Sequence, residues 1–153
     1  MEFHRGDQKV ERTKEIAIVD ASVVVKWFVE EEDTAKALEM RSDYREGKVD
    51  LRSPQLMAYE VLNALRYNPE LGEDDLARAG DALSKFQIVT YPLLGELKDL
   101  CLAAALKLGI SIYDASYLSV GELLDRPVYT ADERLIAKAR GRGKVLHLKD
   151  YGR

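Results

Sequence analysis

Four widely separated carboxylates are the residues of this chain whose type and placement could do chemistry together. They are Asp20, Glu60, Asp114 and Asp132. Each lies where an expected strand ends, where an expected helix begins, or at the margin of a helix's apolar face. If the four meet, their repulsion raises the pKa of at least one of them unless a cation is present. We therefore expect a site for a hard divalent cation, Mg²⁺ or Mn²⁺, which prefers oxygen ligands.

Each of these acids also has an ordinary structural role open to it. Asp20 could cap the helix that follows it, and Glu60 could be a solvated surface residue. Asp114 completes an S-x-x-D capping box, and Thr130 begins a second box that contains Asp132. The joint occurrence of the four acids at related places in the expected fold is what favours a shared site.

Short apolar runs and longer helical patterns alternate along the chain. The predicted strands are Ile16–Val19, Asp50–Ser53, Ile88–Tyr91, Val128–Thr130 and Val145–Leu148. The predicted helices are Ser22–Val29, Asp33–Arg45, Pro54–Tyr67, Glu73–Lys85, Gly95–Leu108, Ser111–Leu124 and Asp132–Arg140. Such alternation is typical of a single three-layer α/β/α domain with a mostly parallel five-stranded sheet.

The order of the strands decides whether the acids meet. In doubly wound sheets the ligand site lies beyond the carboxyl ends of the strands, where the strand order reverses. Asp20 follows the first strand and Asp132 follows the fourth, so these strands must be neighbours. The order 3-2-1-4-5 satisfies this condition and is our prediction. We expect this domain to cover residues 15–153 and residues 1–14 to form a polar, flexible extension.

Composition excludes several classes of protein. The 153 residues are 46% hydrophobic, which is enough for one core. The single cysteine, Cys101, excludes a disulfide framework within the chain, and the start of the sequence has no apolar signal segment. No stretch approaches the roughly 20 apolar residues that span a bilayer. We therefore expect a cytoplasmic protein.

The distribution of charge is more informative than its sum. A formal net charge of −4 argues against a binder that relies on bulk positive charge. From Arg126 to the end, however, the chain carries eight Lys and Arg residues against three acids. This basic end is either a solvated helix face or a rim that holds phosphate groups. With only His4, His147 and Cys101 available, zinc and a histidine-based acid/base mechanism are both disfavoured.

The segments that carry the acids resemble the motifs of PIN-domain ribonucleases, in particular the VapC-type toxins of toxin–antitoxin pairs. The matching segments are Ile-Val-Asp20-Ala-Ser22, Glu60-Val-Leu-Asn63, Tyr113-Asp114-Ala-Ser-Tyr-Leu118 and Tyr-Thr130-Ala-Asp132-Glu-Arg-Leu135. Each motif is short, but four in the right order and spacing are specific. The resemblance extends over about residues 16–148.

The resemblance implies a metal-dependent endoribonuclease that an antitoxin inhibits and that forms homodimers. It assigns Asp20, Glu60, Asp114 and Asp132 to an Mg²⁺ or Mn²⁺ site, with Ser22, Asn63 and Thr130 as supporting polar residues. In such a site the metal activates a water molecule for attack on a phosphodiester. Because an acidic site repels RNA, cations must hold the backbone. The candidates for this contact are Arg134, Lys138, Arg140, Arg142 and Lys144.

Two alternatives stay open at this point. The first is a PIN-like module that has lost catalysis and binds RNA or protein. The second, less favoured, is a phospho-receiver-like domain, which also has an acid after its first strand. A receiver needs a phospho-accepting Asp after its third strand, where this chain has Tyr91-Pro92-Leu93.

Overall fold

The computed structural model describes residues 14–153, which form a five-stranded parallel sheet covered by helices. The strands are β1 (Glu15–Val19), β2 (Val49–Pro54), β3 (Val89–Tyr91), β4 (Val128–Thr130) and β5 (Val145–His147). Their order is β3-β2-β1-β4-β5, and all four pairings are parallel. The predicted strand order and fold class are therefore confirmed.

Seven α-helices lie between and around the strands in the described part of the chain. They are α1 (Ala21–Val24), α2 (Thr34–Arg45), α3 (Met57–Arg66), α4 (Glu73–Phe86), α5 (Gly95–Leu108), α6 (Ile112–Leu124) and α7 (Glu133–Ala139). Short 3₁₀ helices occupy Val25–Trp27 and Leu148–Asp150. In residues 14–153, no helix combines the length and apolar character needed to cross a bilayer.

The middle strand β1 is the centre of the core. It pairs with β2 along one edge and with β4 along the other. Consecutive side chains of a strand point to opposite faces of the sheet, and because Ile18 and Val19 are both fully buried, both faces of β1 are covered. A strand buried on both faces needs a continuous apolar run rather than an alternating one, which is what the Ile-Ala-Ile-Val sequence of residues 16–19 provides.

Two helix boundaries differ from the prediction by three residues or more. Pro54 does not begin a helix but closes β2, opposite Tyr91 of β3. The described register of β1 with β2 ends at Arg52, so the missing N–H of Pro54 costs no hydrogen bond to β1. The helix predicted at 22–29 is also shorter, because α1 ends at Val24 and continues as the 3₁₀ turn.

Other predicted ends are correct. Gly109 ends α5 in the left-handed conformation, with φ of 66°, which glycine adopts without steric cost. Helix α3 stops at Arg66, before Asn68-Pro69 as expected. The prediction of a flexible extension at residues 1–14 lies outside the described residues except for Lys14.

Candidate active site

Asp20 lies directly after β1 at the carboxyl edge of the sheet and is 8% exposed. It caps α1, because its Oδ2 accepts the backbone N–H of Ser22 at 3.4 Å. The same oxygen also accepts the hydroxyl of Ser22 and, at 2.8 Å, that of Thr130. No described residue donates to Oδ1 of Asp20. Capping therefore occupies one carboxylate oxygen and leaves the other for a further ligand.

The environment of Asp20 disfavours its charge. Burial raises the pKa of this carboxyl, and repulsion from Asp132 adds to the rise, against the opposing hydrogen bonds from Ser22 and Thr130. No Lys or Arg among residues 14–153 forms an ion pair with Asp20. A buried carboxylate without a partner cation is unstable unless it is protonated or binds a positive ion.

Glu60 projects from the first turn of α3 and is held by a tyrosine. Its Oε1 accepts the hydroxyl of Tyr117 of α6 at 2.6 Å, and Tyr117 is 1% exposed. Burial raises the pKa of Glu60, and the nearby charges of Asp20 and Asp114 raise it further. Glu60 is therefore within electrostatic reach of two other predicted site acids.

Asp114 lies in the first turn of α6, and Ser111 caps this helix as predicted. The backbone N–H of Asp114 donates to Oγ of Ser111 at 3.0 Å. Its side chain is engaged separately, since Nζ of Lys138 lies 3.3 Å from Oδ2. Only half of the predicted capping box therefore forms: the main chain of Asp114 is bonded to Ser111, and its carboxylate is left for a charged partner.

Asp132 is the cap of α7, and Thr130 is not. Oδ1 of Asp132 accepts the backbone N–H of Arg134 at 2.9 Å and lies 3.6 Å from Nε of the same residue. The predicted capping box beginning at Thr130 is wrong, because Thr130 is still part of β4 and the helix starts at Glu133. The hydroxyl of Thr130 instead accepts the backbone N–H of Asp132 and donates to Asp20.

Ser22 and Thr130 join the two strand ends that carry acids. The hydroxyl of Ser22 donates to Asp20 and accepts the backbone N–H of Ala131 at 2.9 Å. These bonds fix the turn after β1 against the turn after β4. The supporting residue Asn63, by contrast, is exposed on α3, one turn beyond Glu60.

The donor set suits a hard cation, although the acids are not gathered around one point. Among residues 14–153, no three Asp, Glu, His or Cys side chains lie close enough together to hold one metal ion. Magnesium commonly uses only one or two carboxylates and keeps its waters. The free oxygen of buried Asp20, together with the nearby carboxylate of Glu60, meets that requirement with oxygen ligands alone.

The predicted basic rim divides into two groups. Three of its members form ion pairs: Lys138 with Asp114, Arg142 with Glu122 through two bonds, and the exposed Arg134 with Asp132. The other two, Arg140 and Lys144, are exposed and form no ion pair within residues 14–153.

Sequence reasoning missed two parts of the site. Tyr117 lies three residues after Asp114 on α6, and this spacing places both on one side of the helix, so the motif contained a signal for it. The other part is a cleft of about 400 Å³ beside Asp132, which is also lined by Lys26, His147 and Lys149. Lys26 is far in the sequence from His147 and Lys149, so the three residues form no motif.

The sheet order and the acids at its carboxyl edge define a class of protein, and comparison with known sequences agrees. The sequence profile of the PIN domain matches residues 17–141. The chain belongs to the PIN domain family.

Among its relatives, the chain is 32% identical to Ribonuclease VapC3 of Pyrobaculum aerophilum over 126 residues, which cover 79% of this chain and 92% of the relative. It is 37% identical to Exonuclease VapC9 of the same organism over 90 residues, covering 56% of this chain and 65% of the relative. A toxin–antitoxin complex from Klebsiella pneumoniae contains a chain of the same fold, with a TM-score of 0.65 and 15% identity over 86% of this chain and 97% of the other.

Proposed function

We propose that this protein is an endoribonuclease that depends on Mg²⁺ or Mn²⁺ and acts as the toxin of a toxin–antitoxin pair. The observation that carries the proposal is the state of Asp20, a buried carboxylate with one oxygen without a described donor and no described cationic partner. The charge of Asp132 raises the pKa of Asp20, and the charges of Asp20 and Asp114 raise the pKa of Glu60, so each of the four acids is within electrostatic reach of at least one other. The 32% identity to a protein named as a ribonuclease supports the choice of substrate.

Each residue of the site has a task in this mechanism. Asp20 would hold the metal directly, Glu60 would contact a water bound to it, Asp114 would bind it in exchange for Lys138, and Asp132 would reach it through water. When bound, a divalent ion lowers the pKa of a coordinated water and stabilises negative charge on the phosphodiester. The hydroxyls of Ser22 and Thr130 orient the Asp20 carboxylate by donating hydrogen bonds to its Oδ2.

Glu60 is the acid best suited to accept the proton of the attacking water. Burial raises its pKa, which makes it a stronger base than a solvated glutamate. Tyr117 donates to Oε1 only, so Oε2 can receive the proton. Because the phenol holds the carboxylate in one orientation, the proton acceptor is positioned before the substrate binds.

Cleavage of a covalently closed RNA circle tests this proposal directly. An exonuclease cannot begin on a circle, so the assay also separates our proposal from the activity named for the VapC9 relative. We expect the native protein to linearise the circle with Mg²⁺ or Mn²⁺ and not with EDTA. Asp20→Asn and Asp114→Asn should abolish cleavage. The matched control is Asp99→Asn, because Asp99 is an exposed acid on α5 whose described partner is Lys98.

A catalytically silent PIN-like module is the second candidate, and the ion pairs of the site favour it. Asp114 and Asp132 already face Lys138 and Arg134, which neutralise them without a metal. In that case the native protein would bind RNA or protein and leave both circular and linear RNA intact at any divalent metal concentration.

For partners, we propose a protein antitoxin and a second copy of the chain. An apolar groove of about 240 Å³, here called the tyrosine groove, lies beside the start of α6. Its lining includes Tyr59, Leu93, Ile112 and Tyr113, all of them exposed. Contiguous exposed apolar residues of this kind mark protein interfaces. The proposed place of action is the cytoplasm, in keeping with the single reduced thiol of Cys101.

A further inference from the structure

The cleft beside Asp132 contains a lysine that is unusual in its burial. The side chain of Lys26 is 10% exposed, yet the residue lines a cleft that opens beside Ala131 and Asp132. Its Nζ lies 3.2 Å from Oε1 of Glu31, whose side chain is 46% exposed. A lysine whose stem is already packed loses little further rotamer freedom when its ammonium binds a ligand. Lys26 is therefore a preorganised cation next to the acidic site.

His147 also lines the cleft, at the carboxyl end of β5, and a hydrogen bond fixes the orientation of its ring. It ends β5 directly beside Thr130 of β4, in register with it. Its Nδ1 accepts the backbone N–H of Lys149 at 3.0 Å. Because Nδ1 is the acceptor, the neutral ring carries its proton on Nε2. The imidazole can therefore offer one N–H donor to whatever occupies the cleft.

The hydrogen-bond donors of the cleft come from four elements of the fold. Lys26 belongs to the first 3₁₀ helix, Arg134 to α7, His147 to the end of β5, and Lys149 to the 3₁₀ helix that follows it. The cleft is not uniformly basic, since four acids also line it, namely Glu32, Asp33, Asp132 and Glu133. A mixed lining selects ligands that place negative charge at particular points, and does not attract polyanions indiscriminately.

We propose that this cleft binds the ribose-phosphate backbone of RNA immediately beside the scissile bond, with Lys26 and His147 as its positioning residues. The inference rests on the proposed function, because it assumes that RNA passes over Asp20. Lys26 pairs with a phosphate in exchange for the exposed Glu31, and Nε2 of His147 donates to a phosphate oxygen. Arg134 and Lys149, both exposed, form the outer edge of the path.

Equilibrium binding of RNA in EDTA tests the cleft without requiring cleavage. The probe is a fluorescein-labelled oligouridine, followed by fluorescence anisotropy at several salt concentrations, with a gel to verify that the RNA stays intact. Lys26→Met keeps the unbranched buried stem and removes the charge. It should weaken binding about tenfold and lower the slope of log affinity against log salt by about 0.7, the value for one lost phosphate contact on a single strand.

His147 and a remote lysine supply the comparison variants. His147→Ala should weaken binding about threefold and leave the salt slope unchanged, because it removes a neutral donor. His147→Gln should restore part of the affinity, since its amide can donate. Lys85→Met is the matched control, because Lys85 is exposed near the end of α4, where the chain turns toward the amino end of β3. It should bind as the native protein does.

The outcomes separate this inference from the proposed nuclease activity. Weaker binding by Lys26→Met and His147→Ala supports RNA binding in the cleft even if the protein cleaves no RNA. If cleavage requires Asp20 while both variants bind RNA and show KM values like the native protein, the cleft proposal is overturned and the nuclease stands. A native protein without measurable RNA affinity also overturns it, as does an equal loss of affinity in Lys85→Met.

Discussion

Asp20 is the residue whose titration should report most directly on the site. Its folded-state pKa is raised by burial, so the metal-free folded protein binds this proton more tightly than the unfolded chain does. The stability from that proton is present below the unfolded pKa and is lost as the pH rises through the folded value. In EDTA at neutral pH, Asp20→Asn should therefore be more stable than the native protein by about 1 kcal/mol.

Urea unfolding at neutral pH and in mild acid measures this difference. The extra stability of Asp20→Asn should shrink in acid, as native Asp20 becomes protonated. Mg²⁺ should stabilise the native protein but not the variant. Asp99→Asn, which changes an exposed acid, should match the native protein throughout. A variant that is less stable than the native protein at neutral pH would mean that the charge of Asp20 is already compensated.

Tyr117 should support catalysis without contacting the substrate. Tyr117→Phe removes the donor to Glu60 and leaves the buried ring in place. Loss of a group that orients a metal ligand typically costs 10- to 100-fold, so the rate of RNA cleavage should fall about tenfold. Tyr113→Phe, on an exposed tyrosine of the same helix, is the control. Equal rates for the two variants would remove the positioning role of Tyr117.

At the level of single residues, the sequence indicates which acids matter but not how they are oriented. The local motifs correctly suggested that Asp20 and Ser111 cap helices. They could not indicate that Asp114 faces Lys138, because this pair spans 24 residues and depends on the packing of α6 against α7. They could not indicate a role for His147 at the sheet edge either, because its neighbour Thr130 is known only once the sheet is assembled.

At the level of elements, Gly121 controls how closely α6 packs against the sheet. A Cβ at this position would lie 2.6 Å from Cγ2 of Val128 in β4 and 3.2 Å from the carbonyl oxygen of Arg126. Gly121→Ala therefore requires either α6, which carries Asp114 and Tyr117, or the contacting residues to shift, and should lower the free energy of unfolding by about 1–3 kcal/mol. The rate of RNA cleavage should fall as well.

The matched control for this substitution is Gly80→Ala in α4. A Cβ at Gly80 would have no described heavy atom within 4 Å, and alanine is favoured over glycine within helices by about 1 kcal/mol. Denaturant unfolding should thus show opposite signs for the two glycines. Stabilisation by Gly121→Ala would contradict the close approach of α6 to β4.

The elements themselves were largely predictable, and the reason is physical. Apolar runs, Gly109 and Asn68-Pro69 mark strands and helix ends through local sterics, which act within a few residues. Pro54 misled the prediction because proline suits both the first turn of a helix and the end of a strand. Only the register of β2 with its neighbours distinguishes these two uses.

At the level of the whole molecule, the tyrosine groove should hold a second copy of the chain. Leu93→Asp places a charge among the exposed apolar side chains of the groove, and sedimentation velocity should show a shift from dimer to monomer. Leu106→Asp is the control, because Leu106 is an even more exposed leucine that does not line the groove. A native protein that sediments as a monomer, or a Leu93→Asp variant that remains a dimer, would refute this assignment.

The distribution of charge over the molecular surface was only partly predictable from the sequence. The basic end of the sequence suggested a rim for RNA, but ion pairs with Asp114, Glu122 and Asp132 occupy three of its five members. Lys26, far away in the sequence, joins the cleft instead. Charge counts along a chain describe neighbours in sequence, whereas a binding surface is made by neighbours in space.

The central claim is that Asp20 and its neighbouring acids hold a metal that cuts RNA. The most direct measurement is the single-turnover rate of circular RNA cleavage as a function of Mn²⁺ concentration, for the native protein, Asp20→Asn and Asp99→Asn. We expect saturable, metal-dependent cleavage by the native protein and the Asp99 variant, and a rate at least about 100-fold lower for Asp20→Asn. Cleavage at the native rate by Asp20→Asn, or undiminished cleavage in EDTA, would contradict the claim.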